Sequence, residues 1–353
     1  MRLAPGRALL AGCAAAALLL GGCGQRRHVV VLTSVDRNWA EGFLRDFQAK
    51  TGVKVDTVYD TEAGKTTGLA ARLAERRDNP EADVFWNSEI GRTIGLANQG
   101  VLEPFSSPSA AGIPAYLKGP QGLWVGFAAR ARVIVYNTEL VPKGAVPHGL
   151  EGLLDKRFRG KVAIADPRFG TTALHTAALF QVWGTKRTQA LLEGLAANGV
   201  QIVQGNSVVR DRVGRGEALV GLTDTDDVLN GQKQGLPIAL VMPDQGAEGT
   251  LVMPNTVCRI KGGPHPQEAQ ALLDYLLSPE TEAALCAPGT GSMMVREAAP
   301  GGRAGMPAPR EGVPKLADIK AMPVDYVKAA AHLTEDAERA ERLLRGTAAG
   351  EPF

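Results

Sequence analysis

A regular alternation of strand and helix patterns is the feature of this chain that most constrains its fold. The apolar stretches that are each followed by a helical pattern lie at 28–32, 53–59, 82–86, 162–165, 200–204 and 218–222. Strands that alternate with helices at this spacing predict parallel sheets covered by helices. We therefore predict an α/β protein.

A segment with a different pattern separates the two series. Residues 123–127 and 132–136 are short extended stretches with no helix between them, and 249–257 is a later stretch of the same kind. We interpret these stretches as strands that cross between two lobes. The predicted architecture is therefore a two-lobed fold with two hinge crossings and a central ligand cleft, because ligands of open α/β sheets bind at the carboxyl ends of the strands.

The predicted lobe boundaries follow from these crossings. Lobe 1 comprises 29–133 and 256–353, including the C-terminal helices, and lobe 2 comprises 134–255. The sequence has 39 basic and 37 acidic residues and a net charge of +2. Because proteins that bind nucleic acid normally carry a basic face or stripe, we expect no nucleic-acid partner.

The N-terminus has the pattern of an export signal. Arg2 and Arg7 precede an apolar run at 8–20, which is shorter than the about 20 residues that span a bilayer. Small residues then precede Cys23, the pattern of bacterial lipoprotein signals. We predict a signal peptide at 1–22, lipidation of Cys23 and a tether at 23–28, which would anchor the chain to the periplasmic face of a bacterial membrane. The alternative is an ordinary secretory signal with an incidental cysteine.

Two cysteines remain in the body of the chain, Cys258 and Cys286. An exported compartment permits a disulfide between them. Two free thiols are the alternative, and sequence alone does not decide between the two.

Polar residues follow the predicted strands on both sides of the expected cleft. Each could be an ordinary helix cap, but six such groups at strand ends on two facing lobes favour a binding site. The predicted ligand-binding residues are Ser34, Val35, Thr61, Glu62, Asn87, Glu89, Arg130, Thr171, Thr172, Asn206, Ser207, Asp224, Thr225 and Asp226.

The run 223–227 is the sharpest of these groups. Its three carboxylates repel one another unless a cation, an arginine or helix-end N–H groups compensate them. The alternative is a solvated helix start, where the helix dipole favours aspartate. Arg130 and Arg132 lie in the crossing segment, where a forked guanidinium could hold an anion or form an interlobe ion pair. Arg168, Arg210 and Lys65 are further anion candidates.

Seven segments in order along the chain carry a family resemblance. They are VLTSVD at 31–36, VYDTE at 58–62, NPEADVFW at 79–86, GFAARARVIVYN at 126–137, ADPRFG at 165–170, GLTDTDD at 221–227 and PNT at 254–256. Together they resemble the ferric-iron-type substrate-binding proteins of ABC importers, in the extracellular solute-binding family 1 group. The resemblance implies the type II periplasmic binding fold. It also implies a monomer that delivers its cargo to an inner-membrane permease driven by an ATPase.

The resemblance implies ferric iron or an iron chelate as the cargo, with no cofactor. Ferric-binding members use an adjacent pair of tyrosines, whereas the five tyrosines here include no adjacent pair and 225–227 reads Thr-Asp-Asp. Hard Fe(III) favours anionic oxygen ligands, so Glu62, Asp224 and Asp226 are the predicted ligands if the cargo is iron.

Three alternatives remain open at this point. Relatives in this group also take organophosphorus compounds and other small anionic or zwitterionic solutes. An exported hydrolase would use Asp224, Asp226 or Glu62 as acid and base. A chemosensory lipoprotein could use the same fold without transport.

Overall fold

The computed structural model describes residues 27–60, 67–287, 289–296 and 315–346. The predicted signal peptide, Cys23, Thr61, Glu62 and Lys65 lie outside the described residues. Ten strands lie in the described parts, and they follow one another in the order β2-β1-β3-β10-β5-β8-β6-β7, with β4 on β10 and β9 on β5.

The first group of strands forms around β1. Its strands are β1 (His28–Thr33), β2 (Lys54–Tyr59), β3 (Val84–Asn87) and β4 (Leu102–Glu103). The helices between them are α1 (Arg37–Thr51), α2 (Thr67–Glu75) and α3 (Ile90–Asn98). β1 pairs in parallel with β2 on one side and β3 on the other, as the alternation predicts. Gly52 ends α1 in the left-handed conformation with φ +68°, which glycine adopts without steric cost.

The second group repeats this arrangement around β6. Its strands are β6 (Val162–Ala165), β7 (Gln201–Val203), β8 (Val220–Asp224) and β9 (Ile238–Val241). Its helices are α4 (Gly170–Val182), α5 (Thr185–Ala197), α6 (Asn206–Gly214) and α7 (Thr225–Lys233). β6 pairs in parallel with both β7 and β8, so the helices α4, α6 and α7 all begin near the same sheet edge.

Two long strands connect the groups. The first half of β5 (Val125–Asn137) pairs with β10 (Val252–Ile260), and its second half pairs with β8 and β9. The sequence predicted two separate extended segments here, but the structure has one continuous strand of 13 residues. Arg130 and Arg132 interrupt the apolar pattern in the sequence, yet Arg132 is buried, Arg130 is only slightly exposed, and both are paired with aspartates.

The C-terminal helices are α8 (Pro266–Leu276), α9 (Pro279–Leu285), α10 (Tyr326–Ala331) and α11 (Leu333–Arg345). α8 packs on β10 and β1, whereas α10 contacts both α3 and α4, and α11 packs on α4 and α5. The contacts of α11 therefore differ from its predicted place in lobe 1. Its apolar stripe, which includes Ala337 and Leu344, is buried, and the helix as a whole packs on α4 and α5 of the second group. The lobe boundaries themselves remain a prediction.

No disulfide joins Cys258 to Cys286, so the second alternative of the sequence analysis holds for this pair. Burial of Cys258 raises the pKa of its thiol, which keeps the thiol protonated at neutral pH. Among the helices that the structure describes, none combines the length and apolar character needed to span a bilayer.

Candidate functional site

The predicted site residues meet where the strands end. Ser34 follows β1, Asn87 ends β3 and Asp224 ends β8, so each lies within three residues of the helix that follows its strand. β5 runs between the two groups and carries Arg130 and Arg132 into the space between these strand ends. The candidate site is therefore built from both groups of strands and from the strand that connects them.

Arg132 is the centre of the more deeply buried half of the site. Its side chain has no exposed surface, and its Nη1 donates to Asp224 Oδ1 at 2.8 Å and to Asn206 Oδ1 at 2.9 Å. Asp224 Oδ2 accepts hydrogen bonds from Thr171 Oγ1 at 2.8 Å and from Asn206 Nδ2 at 3.1 Å. Arg132 Nη2 also donates to Thr172 Oγ1 at 3.3 Å. Four predicted ligand residues are thus held together by one buried ion pair.

Arg130 joins the two sides of the site. Its Nη2 donates to the carbonyl oxygen of Ser88, after β3, at 2.6 Å, and its Nη1 donates to Asp226 Oδ2, in the first turn of α7, at 2.9 Å. Burial alone would lower the pKa of Arg130, but Asp226 and Asp224 raise it, so the guanidinium is charged. This side chain therefore links the end of β3 to the start of α7.

A second polar network orders the side of the site at β1 and β3. Ser34 Oγ donates to Asn87 Oδ1 at 2.6 Å, and the backbone N–H of Ser88 donates to Ser34 Oγ at 2.9 Å. Asn87 Nδ2 donates to the carbonyl of Glu89 and, at 3.0 Å, to Thr93 Oγ1. The carboxylate of Glu89 caps α3 by accepting from the backbone N–H groups of Gly91 and Arg92, and burial raises its pKa. The polar groups of Asn87 and Glu89 therefore form hydrogen bonds mainly within the protein.

The remaining predicted residues fall into three situations. Thr225 Oγ1 donates to the carbonyl of Gly291 at 2.6 Å, and the backbone N–H of Val35 donates to Thr33 Oγ1 at 3.1 Å. Ser207 lies half-buried in the first turn of α6, beside Asn206. Thr61 and Glu62 lie outside the described residues.

The other anion candidates are paired elsewhere. Arg168 binds Asp166 at 2.7 Å and Glu341 of α11 at 3.2 Å, and Arg210 binds Asp211 at 2.7 Å. The charge of Arg210 lowers the pKa of the Asp227 carboxyl, but burial and the neighbouring aspartates raise it by more.

Three carboxylates at the start of α7 form the strongest electrostatic feature of the site. One oxygen each of Asp224, Asp226 and Asp227 lies within 4.8 Å of the others. Burial, then Asp226 and Asp224, raise the pKa of Asp227 to about 8. The pKa of Asp226 is raised by burial, although Arg130 opposes the shift, and its Oδ1 is buried without a hydrogen-bond partner among the described residues. The cluster therefore has oxygen atoms that an added cation could bind.

Three residues of this site were missed or only partly found from the sequence. Arg132 and Asp227 stood in the segments that were singled out, but neither was in the predicted set of site residues. No sequence pattern indicated a role for Gly291. In the structure its φ is +78°, and a Cβ at this position would lie 2.2 Å from Asp226 Cα. The turn that contains Gly291 therefore lies directly against the start of α7.

Comparison with known proteins identifies the family. The model of the family described as bacterial extracellular solute-binding protein matches residues 43–302, well over half of the chain. The chain belongs to this family. Iron uptake protein A1 of Synechocystis is 28% identical to this solute-binding protein over 276 residues, which cover 74% of each chain. A protein of Salmonella typhimurium named for 2-aminoethylphosphonate binding is 27% identical over 255 residues, which cover 70% of this chain and 71% of the relative.

A solved structure gives the same answer for the fold. Iron-bound HitA from Pseudomonas aeruginosa matches this solute-binding protein with a TM-score of 0.77 and 22% identity, over 89% of this chain and 99% of that one. The predicted two-lobed type II periplasmic binding fold is confirmed. The family resemblance deduced from the sequence motifs is confirmed as well.

The chemistry of the site suits a small polar solute. Two buried guanidinium groups face three carboxylates, and in both arginines the Nε atom is buried with no hydrogen-bond partner among the described residues. A cation would bind the oxygens of Asp226 and Asp227, whereas an anion would bind the guanidinium group of Arg130, the more exposed of the two arginines.

Proposed function

We propose that this solute-binding protein is the substrate-binding component of a bacterial ABC importer, and that its cargo is ferric iron or an iron chelate. The family assignment and the relatives named for iron uptake support the transport role. The protein would deliver the cargo to a permease that an ATPase drives. Iron is the transported solute in this account, and the proposal includes no cofactor.

The observation that carries the proposal is the carboxylate cluster at the start of α7. Both oxygens of Asp224 already accept hydrogen bonds, from Arg132, Thr171 and Asn206. Asp226 Oδ1 has no such partner in the described chain, and Asp227 accepts only from Thr223 Oγ1 at 3.0 Å. We therefore assign the direct contacts with iron to Asp226 and Asp227, and a positioning role to Asp224. Glu62 remains a predicted third ligand.

Iron titration tests this assignment. The full chain, titrated with Fe(III) supplied as a weak chelate at pH 7, should bind one equivalent. The Asp226→Asn variant should bind at least about ten times more weakly, because a ligand charge is lost. Asp56→Asn is the matched control, since Asp56 pairs with Lys54 on exposed surface at β2. Equal affinity for iron in the Asp226→Asn variant and the wild type would refute the assignment.

A small organophosphorus anion or zwitterion is the second candidate cargo, and the charged, partly exposed guanidinium of Arg130 favours it. Guanidinium groups bind phosphonate oxygens with paired, charge-assisted hydrogen bonds, and Asp226 could accept from an amino group. If 2-aminoethylphosphonate is the cargo, saturation at 100 times its dissociation constant should stabilise the protein by about 2.7 kcal/mol. The Arg130→Gln variant should lose that stabilisation.

We also propose a periplasmic location with a lipid anchor at Cys23, the tether at 23–28 and a monomeric state. The relatives that are named as periplasmic proteins support the location. Mass spectrometry of the mature N-terminal peptide tests the anchor: it should begin at Cys23 and carry acyl chains. A Cys23→Ala variant should leave the membrane fraction.

No catalytic role is proposed, and the hydrolase alternative would require turnover that Asp226→Asn abolishes.

A further inference from the structure

A basic surface lies at the end of the second group of strands that faces away from the cleft. β6 and β8 begin at this end, and β5, which runs antiparallel to β8, ends there. β8 has five residues, so its first residue lies about 13 Å from Asp224 at the cleft end of the strand. The surface is therefore separate from the candidate cargo site.

Three segments form this surface, which we call the basic end: 138–143, 155–161 and 212–217. Together they carry seven basic and three acidic side chains, which gives them a net charge of +4. The whole chain has a net charge of only +2. The remainder of the chain is therefore net negative, and the basic end concentrates the positive charge of the protein.

Hydrogen bonds and ion pairs hold two of these segments side by side. The carbonyl oxygen of Lys161 accepts from the backbone N–H of Leu219 at 2.8 Å, and Lys161 Nζ donates to the carbonyl of Glu217 at 3.3 Å. The carboxylate of Glu217 lies 3.8 Å from Arg212 Nε and 4.0 Å from Arg215 Nη1. One carboxylate thus stands among three cations and does not neutralise them.

Solvent reaches most of the cations of the basic end. Lys143, Lys156 and Arg159 are exposed, and none of them has an ion-pair partner among the residues that the structure describes. Arg157 is paired with Asp155 at 2.6 Å. The basic end is therefore a positive surface that is open to a partner.

An exposed leucine lies within the basic end. Leu140 is 52% exposed, and a Cβ at Gly216 would lie 2.8 Å from its Cδ1, so the leucine side chain rests against that glycine. Arg215 precedes Gly216, and Lys143 follows Leu140 by three residues. One exposed leucine is ordinary on a soluble protein, but an exposed leucine between cations is the composition of surfaces that enter a membrane interface.

We propose that the basic end binds the anionic surface of a phospholipid membrane, with its cations at the headgroups and Leu140 in the interface. Lysine and arginine are attracted to anionic headgroups within about a Debye length of the surface. An acidic protein could also pair with the cations, but it gives no reason for the leucine among them. The membrane is also the surface that the proposed anchor at Cys23 would bring near.

This inference goes beyond the proposed cargo function and relies on the proposed anchor only for its setting. The tether joins the chain at the start of β1, in the first group of strands. A contact through the second group would therefore hold the protein to the membrane at a second place. Such a contact is weak and reversible, so the lipid would remain the main attachment.

Vesicle co-sedimentation tests the proposal. The protein used is the mature chain without lipid, residues 24–353, which contains every described residue of the fold. It should bind vesicles of phosphatidylglycerol and phosphatidylcholine in about 50 mM salt and dissociate in about 500 mM salt, because salt screens exposed charges. It should not bind vesicles of phosphatidylcholine alone.

Variants locate the contact. Lys161→Glu combined with Arg215→Glu should weaken binding to the mixed vesicles at least about tenfold, because two attractive charges become repulsive. Leu140→Ser should weaken it at least about threefold, since an apolar side chain is lost from the interface. Arg77→Glu combined with Lys261→Glu is the matched control, because it changes the net charge equally at exposed positions of the first group. The control should stay within about twofold of the wild type, because charges far from the contact are screened.

Several outcomes would overturn the proposal. The absence of binding to the mixed vesicles at low salt would do so, as would equal binding to phosphatidylcholine alone. Unchanged binding in the variant of Lys161 and Arg215 would exclude the basic end, and an equal loss in the control would show that only net charge matters. Unchanged binding in Leu140→Ser would contradict a membrane contact and favour an acidic protein as the partner.

Two further measurements keep these outcomes decisive. Melting temperatures without vesicles identify any variant that fails to fold. Lys143→Glu combined with Lys156→Glu, at two exposed positions, then replaces the variant of Lys161 and Arg215, with the same loss expected and unchanged binding contradicting the proposal. Mass spectrometry of Cys23 tests the anchor separately, so a failure of the basic end is distinguished from a failure of the anchor.

Discussion

Arg132 and Asp224 form an ion pair of 2.8 Å in which neither side chain has more than 3% of its surface exposed. The pair joins β5, the strand that runs through both groups, to the end of β8, where α7 begins. Thr171 and Asn206 bind the same carboxylate, so the pair also holds the starts of α4 and α6 in place. The geometry of one side of the cleft depends on it.

The first prediction concerns the stability that this pair provides. Asp224→Ala should lower the free energy of unfolding by about 3–5 kcal/mol, because removal of one partner leaves a buried charge uncompensated. Glu41→Ala, which breaks an exposed helical pair with Arg45, should change it by less than about 0.5 kcal/mol. Urea denaturation of the two variants beside the wild type measures both values. Similar losses in both would contradict the role assigned to Asp224.

The second prediction concerns the pH dependence of stability. The pKa of Asp227 is about 8 in the folded protein and near 3.9 in the unfolded chain. Between these values the folded state binds more protons than the unfolded state, so this residue's contribution to stability is lost as the pH rises through the window. Asp227→Asn should therefore gain stability relative to the wild type between pH 5 and pH 9. Urea denaturation across this range would refute the assignment if the difference were constant.

The third prediction concerns the turn against α7. Gly291→Ala places a Cβ 2.2 Å from Asp226 Cα, so the turn or the helix start must move. Gly52→Ala is the matched control, because Gly52 has a similar φ of +68° and open space around it. An alanine in the left-handed backbone conformation should lower the free energy of unfolding by about 1–2 kcal/mol in both variants. Gly291→Ala should lower it further and should also weaken cargo binding. Equal losses, with cargo affinity retained, would contradict the contact.

The sequence was a good guide to the parts of the fold that local patterns determine. The strands that precede α1, α3, α4 and α6 were predicted because their apolar runs and helix caps are local features. The same patterns indicated that Ser34, Asn87, Asn206 and Asp224 would stand at strand ends. The family resemblance, read from motifs spread along the chain, led to the correct fold class.

The missed features all depend on contacts between distant residues. The continuity of β5 was hidden because Arg132 reads as a polar break until its partner Asp224, 92 residues away, is known. The packing of α11 on α4 and α5 has no local signal, since an apolar stripe does not say which surface it covers. The approach of Gly291 to Asp226 is likewise a tertiary contact.

The fourth prediction separates the two candidate cargoes. Arg130→Gln removes the charge that neutralises Asp226 and breaks the link to the Ser88 carbonyl. If the cargo is a cation, this variant should bind it at least as tightly as the wild type, because Asp226 is released from its ion pair. If the cargo is an organophosphorus anion, affinity should fall by about tenfold or more, since a charge-assisted hydrogen bond is lost. Parallel titrations with Fe(III) and 2-aminoethylphosphonate distinguish the two.

Analysis of the cargo that the protein carries when it is isolated tests the central claim most directly. The full chain, purified without refolding, is analysed for metals and, by native mass spectrometry, for small organic ligands, beside the Asp226→Asn variant. The account predicts iron in the wild type at about one atom per chain, and its loss from the variant. An organophosphorus compound without iron, or iron that remains in the Asp226→Asn variant, would contradict it.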